Sequence, residues 1–384
     1  MGTEFHRLGD YIREVNVRNR DLKVTRLLGV GLEKKFFPSI ANIIGTDLSN
    51  YKVIKRGQFG CKFMSVGRDG ILPVSILEED EPAIISSAYY AFEVNDPNEL
   101  LPEYLMMWLS RPEFDRELWF YSGGDVRGGV NYEAFCDMPI HVPSIERQRE
   151  IVSEYETLTR RIRLNEQMIE KLEATAQALY RHTFVDNIDI QNLPQGWRMG
   201  KIQDICEVKD GTHDSPKPVE CGIPLVTSAH LKAYSLLLEQ TYNISKQDYS
   251  KINERSLVET KDILFSMIGT VGTISFVLYD IINFAVKNMA IFKTSQKIEY
   301  AEYIHYFLKS KEMNAYIEGC MSGSTQNYVT LNTLRETPIV VPNLSQVELF
   351  HKDASTIVSQ IFNYTRENEK LTKLQSLLLA KMGQ

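Results

Sequence analysis

Residues 208–218, VKDGTHDSPKP, are the best-marked stretch in the second half of this sequence. Asp210, His213 and Asp214 offer three metal ligands at short spacing, but no second set stands nearby to complete a cage. Thr212, His213, Ser215 and Lys217 instead offer donors suited to phosphate oxygens and base edges. A plain surface loop rich in Gly and Pro is the third reading. Lys287 and Gln326 are further candidates in this half, and Lys34, Lys35, Arg56, Lys62, Arg68 and Arg127 are those of the first half. The basic members would meet phosphates and set register, while Arg, His, Thr and Gln can reach base edges. Arg127 lies in a glycine loop at 123–129, which offers bare N–H groups to a nucleic-acid backbone or serves as a flexible turn. That loop does not match the dinucleotide-binding glycine pattern.

The formal net charge is −7 over 384 residues, which argues weakly against a polyanionic partner. Its distribution argues the other way. Residues 13–68 carry twelve basic side chains against four acidic ones, and residues 69–143 carry three against fifteen. The first segment reads as a contact face, with a chance run of solvated residues as the alternative. Cys61, Cys136, Cys206, Cys221 and Cys320 form no CxxC pair and have no His at ligand spacing, so buried free thiols are expected. The sequence shows no phosphate-loop motif, no N-P-P-[FY] methylation motif and no defensible carboxylate pair, so no catalytic centre is expected. It also lacks an apolar run of about eighteen residues and an apolar leader, which points to the cytoplasm and away from membranes.

Such residues need a scaffold, and the clearest parts of it are two long helices. Residues 144–183 contain no Pro or Gly and carry a heptad seam that includes Ile151, Leu158, Ile162 and Leu172, with Asn165 in its one gap. Residues 343–384 repeat the pattern with Ile357, Ile361, Leu371 and Leu378, interrupted at Asn368. Ser144 is placed to cap the first helix. Neither stripe can stay exposed, so an antiparallel pair within the chain is expected, with pairing between chains as the alternative. Each helix follows a Pro-I-x-V-Pro phrase, 139–143 and 338–342, at an offset of 199 residues. The same offset relates EYLMMWLS at Tyr104 to EYIHYFLK at Tyr303. A constant offset means one folding unit used twice. The expected class is α+β: two similar mixed domains, 1–143 and 197–342, separated by two long antiparallel coiled-coil helices, 144–183 and 343–384, with a connector at 184–196. The loops of the two halves differ, which suits two different binding tasks on one scaffold.

The 208–218 stretch, GIPLVTSAH at 222–230, the turn at 269–274 and the two Pro-I-x-V-Pro phrases with their helices resemble the specificity subunit of type I restriction–modification systems. The resemblance covers nearly the whole chain, although the first domain has no GTHDSP phrase. It implies two target-recognition domains that each read one half of a split sequence in double-stranded DNA. The helices would be the spacer and the docking surface for two methyltransferase subunits. No cofactor would belong to this chain: S-adenosylmethionine would sit in the methyltransferase, and ATP and Mg in restriction subunits where these join. A homodimer of the isolated subunit stays open. The competing reading is a non-enzymatic adaptor that uses the same duplicated domains to bind proteins.

Overall fold

The computed structural model describes residues 5–39, 45–121, 130–186, 188–321 and 328–383. The chain packs as two units, residues 1–161 with 370–384 and residues 162–369.

The first unit is built on a four-stranded antiparallel sheet, ordered Ile12–Glu14, Tyr90–Val94, Phe59–Cys61, Val74–Ile76. Phe59 and Phe92 face each other across two strands and stack at 4.7 Å. Helices Pro102–Leu109, Pro112–Tyr121 and Tyr132–Cys136 cover that face with Tyr104, Trp108, Phe114 and Phe135. Proline opens the first two of these helices, where its missing N–H costs nothing. Phe5–Arg7 pairs with Pro139–His141, so the first Pro-I-x-V-Pro phrase is a strand. The second unit repeats the plan. Its sheet is ordered Val208–Asp210, Met289–Phe292, Ile263–Ser266, Ile274–Phe276. Helices Ala301–Leu308, Lys311–Met321 and Leu331–Arg335 follow, and Arg198–Lys201 pairs with Pro338–Val341.

The repeat extends to single hydrogen bonds. Tyr104 donates its hydroxyl to the carbonyl of His141, 3.1 Å away, and Tyr303 donates to that of Val340. Donors and acceptors alike are offset by the 199 residues read from the sequence. Each tyrosine pins its helix to the strand that feeds a long helix. The next contact differs. In the first unit the buried Gln148 holds Leu101 N–H at 2.8 Å and the carbonyls of Glu99 and Pro143 at 2.8 and 2.9 Å, and Val152 is buried one turn on. In the second unit the matching positions are the buried Val347 and the polar His351. His351 Nδ1 pairs with Glu302 at 2.5 Å, and Lys261 meets the same fully buried carboxylate at 3.2 Å.

The long helices are Ile145–Phe184 and Leu344–Lys381. Ser144 Oγ accepts the Arg147 N–H at 3.3 Å and caps the first of them. Within the second unit they run antiparallel: Phe184 lies against Phe350 at 5.1 Å, and Asn165 bonds Asn368 at 2.8 Å. Within the first unit Gln375 donates to Thr159 at 2.7 Å, and Val152, Leu379 and Met382 enter the core. The seam residues differ in depth. Ile361 is fully buried, Ile151, Leu172 and Ile357 pack partly buried on the cores, and Leu158, Ile162, Leu371 and Leu378 are half-buried. Full burial concentrates where a helix meets a globular core as well as its partner, at Ala176, Tyr180 and Phe184 and at Phe350, Ala354 and Val358. There the buried stripe is wider than two positions per heptad.

Two local expectations need correction. The run at 208–210 is a strand and not loop. Two thiols, Cys221 and Cys320, are exposed: one lies in the turn before strand Ile223–Val226, the other on the open side of helix Lys311–Met321. Among the described residues no helix is long and apolar enough to cross a membrane.

Candidate nucleic-acid interface

In the second unit the strand Val208–Asp210 delivers the 211–217 loop onto the turn that joins Ala285–Val286 to Met289–Phe292. Gly211 N–H bonds the carbonyl of Met289 at 2.8 Å. A Cβ at Gly211 would stand 3.0 Å from the Val286 carbonyl oxygen, so a larger residue here would have to push this backbone aside. Thr212 N–H then bonds Val286 O at 3.1 Å, and Asn288 N–H returns to Thr212 O at 3.1 Å. Asn288 holds a φ of 55°, a left-handed conformation that Asn tolerates better than most residues. Thr212 Oγ1 accepts from Asp214 N–H at 3.1 Å, and Lys287 Nζ donates to Ser215 Oγ at 2.5 Å.

His213 closes the arrangement. Its Nδ1 lies 2.9 Å from Asn288 Oδ1 and its Nε2 lies 2.7 Å from Asp210 Oδ2. Both partners accept, so a doubly protonated ring satisfies them together. The Asn288 hydrogen bond, followed by the Asp210 carboxylate, raises the His213 pKa above the ordinary histidine value. A raised folded-state pKa gives a stabilising contribution that is complete below the unfolded value, about 6.5, and is lost as pH rises through the folded one. The His213→Gln variant should therefore trail the parent in melting temperature at about pH 5.5 and match it more closely at about pH 8.5. An equal gap at both pH values would contradict the charged clamp.

Thr212, His213, Ser215 and Lys287 are thus brought to one surface, with Lys217 exposed on the same loop. Sequence reasoning missed Asn288, whose signal was an Asn beside Lys287 before a strand. The metal reading has no support: Asp210 is engaged by His213, Asp214 faces Lys251 at 3.9 Å, and among the described residues no three ligands gather.

The first unit departs more from expectation. Its basic segment folds onto its acidic one. Arg26 pairs with Glu79 at 3.0 Å, Arg56 with Asp80 at 2.8 Å, Arg13 with Glu93 at 2.7 Å and Arg68 with Asp69 at 2.7 Å. Lys34 is a clear correction. Its side chain is 9% exposed and reaches from the turn after Leu28–Val30 to Asp115 at 2.8 Å and to the carbonyl of Leu109. Burial lowers its pKa while Asp115 opposes that shift. Its ammonium points inward and ties this turn to helix Pro112–Tyr121. Lys35 is exposed, and Lys62 is half-buried. Arg127 with its glycine loop, and Gln326, lie outside the described residues. Among the described residues, the guanidinium groups of Arg18 and Arg20 both hydrogen-bond the neutral Asn50.

Comparison with known proteins follows this geometry. The family model "Type I restriction modification DNA specificity domain" matches residues 70–174 and 194–379. A curated relative, the type I restriction enzyme HindI specificity subunit of Haemophilus influenzae, is 21% identical over an alignment of 427 positions that covers 91% of each chain. The MjaIX specificity subunit of Methanocaldococcus jannaschii is 27% identical over 197 residues, 48% of this chain and 43% of that one. A crystal structure of the type I restriction–modification S subunit from M. genitalium superposes with a TM-score of 0.60 at 13% identity, covering 99% of this chain and 95% of the other.

Proposed function

Because this chain belongs to the type I restriction–modification DNA specificity family, we propose that it reads a split target in double-stranded DNA, one half with each unit. The chain is a specificity subunit and not an enzyme in its own right; the family places no cofactor in it. The observation that carries the two-part reading is the duplicated sheet, helices and tyrosine anchor beneath loops that differ. Residues 1–143 and 197–342 are assigned to target recognition, 144–183 and 343–384 to the spacer, and 184–196 to the connector. In the second unit, Thr212, His213, Ser215, Lys217 and Lys287 meet the duplex, the lysines at phosphates and His213 and Thr212 within reach of base edges. In the first unit, Lys35, Arg56, Lys62 and Arg68 are the corresponding choices, with Arg56 exchanging the exposed carboxylate of Asp80 for a phosphate. Arg127 and Gln326 complete the two sets.

DNA and methyltransferase subunits are the partners. Two methyltransferase subunits dock on the helices and bring S-adenosylmethionine, and restriction subunits, where present, bring ATP and Mg. The assembly works in the cytoplasm. The test is co-expression with the methyltransferase subunit, followed by mapping of methylated adenines. The expected map is one recurring two-part motif with an unread gap. Methylation at a single uninterrupted motif, or none above background, would defeat the reading. The adaptor alternative gains no support from any observation.

A further inference from the structure

The 18–26 loop of the first unit departs from the charge pattern around it. Four of its neighbours in the basic segment, Arg13, Arg56, Arg68 and Lys34, each face a carboxylate. Inside the loop, Arg26 faces Glu79 and Lys23 faces Asp21. Among the described residues Arg18 and Arg20 form no ion pair, although, after the hydrogen bonds from Ser49, the charge of Arg20 helps lower the pKa of the nearby Asp47 carboxyl. Arg18 Nη1 donates to the backbone carbonyl of Asn50 at 2.6 Å, and Arg20 Nη1 donates to Asn50 Oδ1 at 3.1 Å. Two guanidinium groups thus converge on one neutral residue. The acid beside them, Asp47, accepts from Ser49 N–H at 2.9 Å and from Asn50 Nδ2 at 3.1 Å, and forms no ion pair with either arginine among the described residues. Among the described residues each arginine commits one Nη1 of its planar fork of N–H donors, a fork whose geometry matches phosphate oxygens.

The loop is also built and not merely exposed. Asn19, between the two arginines, is 1% exposed. Its side chain bonds Val24 through both carbonyl and N–H, at 2.9 and 3.3 Å. Its backbone bonds Tyr51 O at 3.0 Å and receives Leu22 N–H at 3.0 Å. Leu22 is held at a φ of 52° and is 54% exposed. A leucine in the left-handed region is strained, and such strain persists only where surrounding bonds over-determine it. Lys52, bridged to Arg18 along the backbone, lies beneath and leans on Glu14 at 3.6 Å.

We infer that Arg18 and Arg20, presented together by Asn19 and Asn50, clamp the sugar–phosphate backbone of the DNA read by the first unit. This rests on the DNA reading given above and adds the place and chemistry of contact. Phosphate contacts position a protein on its duplex and carry no sequence information of their own. The clamp therefore sets affinity and register, not the choice of bases.

The test uses the full chain assembled with its methyltransferase subunit, and a duplex carrying the mapped target. Binding of the parent and of the Arg18→Ala/Arg20→Ala variant is measured across a salt series. Loss of two phosphate contacts should make the slope of log affinity against log salt shallower by about two. Affinity should fall about tenfold or more at low salt, with the methylated motif unchanged. Both side chains reach the surface, so circular dichroism and melting temperature should match the parent. The Arg18→Lys/Arg20→Lys variant should keep most of the slope, which separates lost charge from a disturbed loop. An unchanged slope and affinity would overturn the clamp while leaving the DNA reading intact. Loss of methyltransferase binding with DNA affinity preserved would overturn it as well, and would make the loop a protein contact. Absence of duplex binding by the parent assembly would remove the reading and the clamp together.

Discussion

Exchanging residues 197–342 for the matching segment of another family member should replace one half of the methylated motif and leave the other half untouched. The cut points keep the sheet of the second unit whole. They enclose both strands of the Arg198–Lys201 and Pro338–Val341 ribbon, the four-stranded sheet and the 211–217 loop. What stays behind is the socket on the first long helix, Tyr180 and Phe184, which receives the ring of Tyr303, with Phe350 packed against Phe184. The incoming segment must bring an aromatic residue there and a hydroxyl for the carbonyl at 340. The effect is large because each mismatched base pair costs about 1–3 kcal/mol, so a half-site with several changed positions loses more than about a thousandfold in discrimination. Sequencing of methylated adenines reads the result directly. A map in which both halves change would end the two-part reading.

The second large effect is on stability. Glu302→Ala should destabilise the chain by about 3–5 kcal/mol, the scale on which a buried pair fails when one partner is removed. The Glu302 side chain is 0% exposed and is met by Lys261 and His351, which are only 18% and 25% exposed. Truncation leaves two cations facing a cavity. The loss should depend on pH. The hydrogen bond to Glu302 raises the pKa of His351, so this part of the stability is complete below about pH 6.5 and disappears as pH rises through the raised value. Denaturant titrations at about pH 6 and about pH 8.5 should give the larger loss at the lower pH. A loss under about 1 kcal/mol at both would show that Glu302 adds nothing to the joint.

The architecture was legible because it rests on periodic and repeated signals. Two helices free of Pro and Gly, and a constant offset linking Tyr104 with Tyr303 and the proline phrases, are visible without coordinates. The fold class drawn from them is the one observed, and the matched family supports it. The candidate loop was legible because it is local: Thr212, His213 and Ser215 stand within four residues of one another, directly after strand Val208–Asp210. It was illegible where partners are distant in sequence. Lys34 meets Asp115 eighty-one positions away, and Arg26 meets Glu79 across fifty-three. A count of charges cannot show that such residues neutralise one another. The same blindness hid Arg18 and Arg20, which differ from their neighbours only in facing an amide where the others face a carboxylate. Helix Lys246–Ser256 escaped notice because little more than Ile252 and Ser256 is buried on it.

The amides in the helix seam of the second unit have a mechanical consequence. Asn165 is 1% exposed and donates to both Asn368 and Glu367, while Asn368 reaches the carbonyl of Ile162. Leucine against leucine would tolerate a slip of one heptad, since every notch along such a track looks alike. Here a slip would strand each amide among hydrocarbon at about 1–3 kcal/mol apiece. The helices are pinned as by a dowel through two bars.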